Sequence, residues 1–284
     1  MKNKFLSLLA FGMLLVSCSK DDNTATPQLK LNLTGLENLG ANYKYEGWIV
    51  VNGSPVTTGT FTVNDAGVLS KTSFDVDATA LANATKFVLS IEPANDTDPA
   101  PSNTKYLVGD FSGNSATVNS GIVGDFAAST GKYLIASPTS MSTMDPFAGV
   151  WFMDGNGPSN GFNLPTLDAG WKYEGWVVKN GTALSTGKFS NPGIPDLTAS
   201  YSGTLSAPPF PGEDFITNAP TGVTFPWDLS GATLVISVEP NPDNSAMPFT
   251  LKPLSHQVAN PAVEGATVNM TRSLAAFPTG TITR

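Results

Sequence analysis

The chain contains two copies of one sequence pattern, and this duplication limits its fold more than any other feature. The copies match in the same order along both halves. The matching pieces are Tyr43–Val50 with Trp171–Val178, Asn52-Gly53 with Asn180-Gly181, Gly59 with Gly187, Phe61 with Phe189, Leu89–Pro93 with Ile236–Pro240, Ala116–Asn119 with Ala266–Asn269, and Gly131 with Gly280. Collinear matches of this kind predict one structural unit built twice.

The matching pieces have the character of β-strands. Tyr43–Val51 is rich in aromatic and β-branched residues, and Asn52-Gly53 after it is typical of a type I′ hairpin turn. Phe87–Ile91 is almost wholly apolar, as expected of a strand covered on both faces. Frequent turns agree with 27 Gly and 22 Pro, and only 13% of residues are charged. We therefore predict an all-β protein of two tandem antiparallel β-sandwich-like domains.

The predicted domains cover residues 28–142 and 143–284, joined near 138–149. Val150–Met153 begins the second domain in this reading, or pairs back onto the first and makes the two domains one unit. The spacing between matched residues grows beyond Phe189, which predicts an insertion near 190–230 in the second copy.

The insertion carries aromatic and carboxylate side chains, which are typical of binding loops on a rigid β-scaffold. The alternative is a stiff surface loop whose phenylalanines pack beneath it. The candidate ligand-binding residues are Phe210, Glu213, Asp214, Phe215 and Trp227.

The N-terminus has the pattern of a lipoprotein signal peptide covering residues 1–17. Lys2 and Lys4 precede an apolar run, Phe5–Val16, which is too short for a permanent membrane span. The run ends at Cys18, the single cysteine of the chain, in a sequence that resembles a bacterial lipobox. We expect Cys18 to be lipidated, which leaves no thiol for disulfides, catalysis or metal binding; the alternative is an ordinary signal peptide.

Residues 18–27 are predicted to form a flexible tether to the membrane. Ser19-Lys20-Asp21-Asp22 resembles the signal that exports some lipoproteins to the cell surface, so the expected location is the outer membrane, facing outward. The formal net charge of −8 disfavours nucleic acid as a partner.

The repeated motif resembles the extracytoplasmic C-terminal domain of anti-sigma-K factors. That resemblance covers both domain cores and implies a shared fold and a sensing or binding role. The chain departs from the family because it shows neither a mature transmembrane helix nor a cytoplasmic segment to sequester a sigma factor. The residues that carry the resemblance and form the repeat-core motif are Tyr45, Trp48 and Glu92 in the first copy and Tyr173, Trp176 and Glu239 in the second.

Catalytic patterns are weak. Gly157-Pro158-Ser159-Asn160-Gly161 matches a nucleophile elbow, but a β-like segment with a proline follows it where a helix is needed. His256 is the only histidine, and its surroundings suggest a polar loop. Glu46 and Glu174 are expected to form structural salt bridges with a lysine, and the same is expected of Glu92 and Glu239 at strand ends. We predict neither a metal site nor a cofactor, although loop carboxylates such as Asp96 and Asp98 keep weak calcium binding open.

The expected function is that of a non-catalytic envelope or surface lipoprotein. It would act as a binding or structural module for a glycan or an envelope protein, and it would contact the membrane through its lipid anchor. Two alternatives stay open: a carboxylate-dependent glycoside hydrolase, and an accessory protein in envelope signalling of the anti-sigma type.

Overall fold

The structure is a computed structural model that describes residues 27–243 and 245–284. The predicted signal peptide and Cys18 lie outside the described residues, as does the tether up to residue 26. These features stay predictions.

The described residues form an almost entirely β protein, with 42% of the chain in strands and 4% in helices. This confirms the predicted all-β, antiparallel, sandwich-like fold. One short helix, α1 (Ala78–Asn83), and one 3₁₀ turn (Ser120–Ile122) accompany the strands. The strands of the first half are β1 (Gln28–Thr34), β2 (Tyr43–Val51), β3 (Ser54–Phe61), β4 (Ser73–Asp75), β5 (Lys86–Pro93), β6 (Lys105–Ser112), β7 (Ser115–Asn119) and β8 (Thr130–Ile135).

The second half has more and shorter strands. They are β9 (Gly149–Trp151), β10 (Met153–Asp154), β11 (Ser159–Asn160), β12 (Phe162–Asn163), β13 (Trp171–Lys179), β14 (Thr182–Phe189), β15 (Gly212–Asp214), β16 (Thr233–Pro240), β17 (Leu254–Gln257), β18 (Val268–Asn269), β19 (Thr271–Arg272) and β20 (Thr279–Thr283).

The first repeat is built on an eight-stranded sheet in the order β3-β2-β5-β6-β7-β20-β1-β4. Along β1 the buried and exposed residues alternate strictly, because successive side chains of a strand point to opposite faces. The sheet curls until its two edge strands approach, with the rings of Phe61 and Phe74 6.2 Å apart. The curled sheet encloses an apolar core on its concave side.

The second repeat has the same strand order in its main sheet, β14-β13-β16-β17-β19. The next strand positions are taken by β18, β8 and β12, because β8 pairs with both β18 and β12. The β18 and β19 segments together replace the single strand β7 of the first repeat.

The two repeats exchange their last strands. In the first repeat the sequence around Gly131 forms β8, which pairs with β12 and β18 of the second repeat. The matching sequence around Gly280 forms β20, which lies in the sheet of the first repeat between β1 and β7. The chain therefore crosses between the repeats twice. Strand β20 completes the eight-stranded sheet of the first repeat, and β8 joins strands of the second repeat in a separate five-stranded sheet, β12-β8-β9-β15 with β18 also paired to β8.

Local details of the duplication are also repeated. Asn52 and Gly53 both have positive φ angles, 51° and 81°, as a type I′ turn requires, and Asn180 and Gly181 repeat them at 54° and 79°. The strand before each turn has a bulge at the same place, after Gly47 and after Gly175. Because unrelated strands do not reproduce such irregularities, the two copies share one local fold.

A continuous apolar core joins the repeats. Tyr106 of β6 packs against Tyr45 of its own repeat, with ring centroids 6.2 Å apart. It also packs against Trp171 and Phe249 of the second repeat, at 5.5 and 5.4 Å. Trp171 donates its indole N–H to the carbonyl of Lys105 at 3.2 Å, which fixes the two repeats to each other.

The segment that begins at Val150 pairs back onto the preceding strand. Strand β9 is antiparallel to β8, with Val150 opposite Ile135 and Trp151 opposite Leu134. Since β8 also pairs with β12 and β18, this pairing adds to the contacts between the two halves of the chain. The domain boundaries predicted at 142 and 143 stay a prediction.

Candidate functional site

The repeat-core motif forms a buried hydrogen-bond chain in each copy. In the first copy, Trp48 donates its indole N–H to the Ser90 hydroxyl at 2.8 Å, and Ser90 donates to the Glu92 carboxylate. Glu92 is only 1% exposed, and its burial raises the pKa of its carboxyl above the usual range.

The second copy repeats this chain with Trp176, Ser237 and Glu239, and the first distance is again 2.8 Å. The tryptophan and glutamate of the motif are therefore interior, structural residues in both repeats. The serine that links them was not singled out in the sequence, although it lies at the same place in both copies.

The two motif tyrosines also have matching roles. Tyr45 donates its hydroxyl to the carbonyl of Glu37 at 2.9 Å, and Tyr173 donates to the carbonyl of Pro165 at 2.6 Å. Each tyrosine thus fixes the chain eight residues before it, at the entry to its repeat. This contact matters for the site, because it positions Glu37.

The insertion places its candidate residues inside the protein. Phe215 and Asp214 are fully buried, Glu213 is 1% exposed and Phe210 is 9% exposed. Phe215 packs against the rings of Trp227 at 5.6 Å and Tyr201 at 5.6 Å.

The insertion carboxylates are held by protein donors. Asp214 accepts hydrogen bonds from the Trp151 indole at 2.8 Å and from the backbone N–H and hydroxyl of Thr139 at 2.7 and 2.5 Å. Glu213 accepts from the Ser202 hydroxyl. These contacts favour the alternative in which the loop packs onto the scaffold. Of the five candidate residues, only Trp227 is half-buried and keeps part of its side chain exposed to solvent. A ligand-binding role for these residues stays an untested prediction.

A cleft of about 230 Å³ lies at the junction of the repeats. One wall comes from the segment after β1 and the first residue of β2, with Glu37, Leu39 and Tyr43. The opposite wall comes from the end of β16 and the loop after it, with Asp243 and Phe249. Two acidic residues from different repeats thus line one cavity, whose other walls combine apolar residues with the polar Asn38 and Ser245.

Glu37 connects the two walls of the cleft. Its Oε2 accepts a hydrogen bond from the backbone N–H of Thr250 in the second repeat at 2.6 Å. Burial raises the pKa of its carboxyl to about 7, and the nearby Asp243 acts in the same direction, whereas the Thr250 N–H and Lys252 act against it. A carboxyl with this pKa exchanges a proton near neutral pH.

A lysine and two further carboxylates lie close to Asp243, beside the cleft. Lys188 Nζ is 3.0 Å from Asp243 Oδ2 and 3.7 Å from Glu174 Oε2. Glu174, Glu239 and Asp243 each bring one carboxylate oxygen within 4.8 Å of the others. The expected salt bridge between Glu174 and a lysine is present. Glu46 of the first copy instead accepts a hydrogen bond from Thr57 at 2.5 Å. Glu92 and Glu239 accept from serine hydroxyls, so the salt bridges expected for these three glutamates are not found among the described residues.

The weak catalytic patterns do not form a site. Ser159 is exposed in the two-residue strand β11, without the strand-to-helix turn of a nucleophile elbow. His256 lies in strand β17 and not in the polar loop expected from the sequence, and its Nδ1 is 2.9 Å from the Tyr133 hydroxyl. Asp96 and Asp98 accept hydrogen bonds from backbone N–H groups of their own turn.

Sequence reasoning missed Glu37, Asp243 and Lys188. The repeat itself held a signal for two of them. The 147-residue spacing that aligns Leu89–Pro93 with Ile236–Pro240 also aligns Asp96 with Asp243, and the 128-residue spacing aligns Thr60 with Lys188. The second copy therefore has a charged residue, Lys188, where the first copy has the uncharged Thr60.

The fold and the cleft define an all-β protein of two strand-exchanged repeats with an acidic cavity at their junction. No protein-family profile, no curated protein sequence and no solved structure matches this chain. Among the described residues, no helix has both the length and the apolar character needed to cross a membrane.

Proposed function

We propose that this protein is a non-catalytic, lipid-anchored module of the cell envelope that binds a glycan in the cleft between its repeats. The observation that carries the proposal is the cleft itself, in which Glu37 and Asp243 from opposite repeats face one cavity. Carboxylates accept hydrogen bonds from sugar hydroxyl or amino groups, and the ring of Tyr43 with the adjoining apolar wall suits the faces of a sugar.

The strand exchange supports this role because it fixes the two walls relative to each other. Strands β8 and β20 each cross into the other repeat, and Glu37 is hydrogen-bonded to Thr250 across the junction. A preorganised cleft loses less conformational entropy on binding than one that must close. An outer-membrane location and an outward orientation, proposed from the residues around Cys18, would expose the cleft to extracellular glycans.

Titration calorimetry with oligomers of N-acetylglucosamine and of glucosamine tests the proposal. The two probes share one backbone, but glucosamine carries ammonium groups, which an acidic cleft prefers. We expect the glucosamine oligomers to bind about tenfold more tightly at low salt, and we expect the preference to shrink as salt increases.

Variants of the cleft sharpen the test. Glu37→Gln and Tyr43→Ala should weaken binding of the glucosamine oligomers, whereas Asp125→Asn on an exposed loop should leave it unchanged. The proposal fails if neither oligomer binds the wild-type chain. It also fails if all three variants bind as the wild type does, because the ligand would then lie elsewhere.

A glycoside hydrolase is the second candidate function, and one observation favours it. Glu37 shares a cavity with a second carboxylate, and its pKa of about 7 suits a general acid at neutral pH. Reducing-end release from the same oligomers distinguishes the candidates. Hydrolysis by the wild type that Glu37→Gln abolishes, with binding retained, would establish the enzyme and overturn the non-catalytic role.

A further inference from the structure

Three carboxylates converge beneath the cleft, in the interior of the second repeat. Glu174 comes from β13, Glu239 from the end of β16 and Asp243 from the loop after it, and one oxygen of each lies within 4.8 Å of the others. Glu174 is 4% exposed and Glu239 is fully buried, while the Asp243 side chain is also 4% exposed. Like charges at this separation repel strongly in a region of low dielectric constant, so a nearby cation stabilises the ionised form of the cluster.

In each carboxylate, one of the two oxygens accepts hydrogen bonds from protein donors, and these bonds fix the orientation of the group. Glu174 Oε1 accepts from the Ser185 hydroxyl at 2.5 Å, and Asp243 Oδ1 accepts from the backbone N–H of Ser245 at 2.7 Å. Glu239 Oε1 accepts from the Phe249 N–H at 2.8 Å and from Ser237. Donors of this kind fix the direction of the second oxygen, as the outer shell of a cation site does.

The second oxygens are buried, and none of them accepts a hydrogen bond from a backbone N–H or a hydroxyl group of the described residues. These atoms are Glu174 Oε2, Glu239 Oε2 and Asp243 Oδ2. Lys188 brings its ammonium within ion-pair distance of Asp243 and Glu174, whereas Glu239 Oε2, on a fully buried side chain, has no donor among the residues that the structure describes. A buried carboxylate oxygen that receives no hydrogen bond is costly, and a bound cation removes this cost.

We propose that Glu174, Glu239 and Asp243 form a binding site for a hard divalent cation such as Ca²⁺, in which Lys188 is a displaceable internal competitor. Carboxylate oxygens are the ligands that Ca²⁺ prefers, and its variable geometry accepts water for the remaining positions. Asp243 also lines the cleft, which gives the ion a path from solvent. The Lys188 side chain is 32% exposed, so its ammonium can move to water when the ion enters.

The first repeat supplies an internal control. Its equivalent acids are Glu46, Glu92 and Asp96, and Thr60 replaces Lys188. Glu46 and Asp96 are half-buried, and the oxygens of this trio are not among the buried atoms without donors. The proposed site is therefore specific to the second repeat.

Calorimetric titration of the full chain with CaCl₂ tests the site. The titration extends to about 10 mM, because extracellular calcium modules bind with dissociation constants of about 0.1–1 mM. Asp243→Asn should weaken Ca²⁺ binding by about tenfold or more, and the matched Asp96→Asn should not change it. Lys188→Met should strengthen binding by about tenfold, because it removes the competing charge. Circular dichroism checks the fold of each variant.

The titration of Lys188→Met tests whether the cluster binds Ca²⁺ even if Asp243→Asn fails to fold. No heat of binding in both the wild type and Lys188→Met would overturn the proposal, because the cluster would then be a structural ion pair only. Equal losses in Asp243→Asn and Asp96→Asn would also overturn it, since Ca²⁺ would be binding to exposed acids. The outcome is independent of the glycan test, which uses other residues and another probe.

Discussion

Leu33, in the first strand of the protein, lies directly opposite Gly280, in its last strand. The pairing is close, because a Cβ atom on Gly280 would come within 2.2 Å of the Asn32 carbonyl oxygen. Gly131, the matching residue of the first copy, lies opposite Phe162 of the second repeat. In each pairing the matched glycine of one copy lies opposite a residue of the other half of the chain, and together the two pairings define the exchange that joins the halves.

Loss of the serine from the buried chain of either repeat should destabilise the protein to a similar extent. Ser90→Ala leaves the Trp48 indole N–H and the Glu92 carboxylate without their shared partner, and Ser237→Ala does the same for Trp176 and Glu239. We expect a loss of about 1–3 kcal/mol in the free energy of unfolding for each variant.

Urea denaturation measures these losses, with the exposed Ser206→Ala as the control. A negligible effect of either buried substitution would show that the chain does not contribute to stability in that repeat.

An alanine at Gly170 should strain the junction of the repeats. A Cβ atom there would lie 2.4 Å from the Asn103 carbonyl oxygen and 2.6 Å from the Thr104 nitrogen, and backbone atoms cannot rotate away as a side chain can. We expect a loss of about 2–3 kcal/mol and weaker packing of Trp171 against Tyr106.

The matched control is Gly193→Ala, where the only near atom is an exposed Asn191 side chain at 3.3 Å. Thermal denaturation followed by tryptophan fluorescence compares the two. If Gly170→Ala is as stable as Gly193→Ala, the two repeats do not meet as closely as described.

Asp196 should make the protein less stable as the pH rises. Its Oδ2 accepts from the Gly212 N–H at 3.1 Å, and burial, assisted by Glu213, raises the pKa of its carboxyl from 3.8 to about 7. The folded state therefore binds the proton more tightly than the unfolded state. The stabilisation is complete below pH 3.8 and is lost as the pH rises to about 7.

Asp196→Asn removes this dependence because the amide does not ionise. We expect the variant and the wild type to be similar near pH 4, and the variant to be more stable at pH 8 by on the order of 2 kcal/mol. Urea denaturation at several pH values measures the difference, with the exposed Asp168→Asn as control. A difference between variant and wild type that is constant with pH would contradict the assignment.

The sequence was sufficient to predict the strands, because local patterns determine them. Tyr43–Val51 and Phe87–Ile91 are strands as expected, and Asn52-Gly53 forms the expected turn. The exchange of β8 and β20 was not predicted. The same residues could pair within their own repeat or in the other, and periodicity carries no information about which sheet a strand joins.

The candidate site was harder to predict for a similar reason. The sequence left two interpretations of the insertion open, a binding loop or a loop whose phenylalanines pack beneath it, and Phe215 is buried by packing within the loop. Glu37 and Asp243 are far apart in the sequence and meet only because the repeats are interlocked. No local pattern distinguishes them from other acids of the chain.

Disulfide trapping tests the strand exchange most directly, in a chain whose Cys18 is replaced by Ser so that only introduced cysteines can pair. Thr281 lies opposite Asn32 in the sheet, at a separation that permits a disulfide, whereas without exchange Lys132 of the first copy would take that place. The account predicts that Asn32→Cys/Thr281→Cys forms an intramolecular disulfide, identified by mass spectrometry of the unreduced digest, and that Asn32→Cys/Lys132→Cys does not. Efficient bonding of the second pair without the first would show that each repeat keeps its own last strand, and would contradict the interlocked fold.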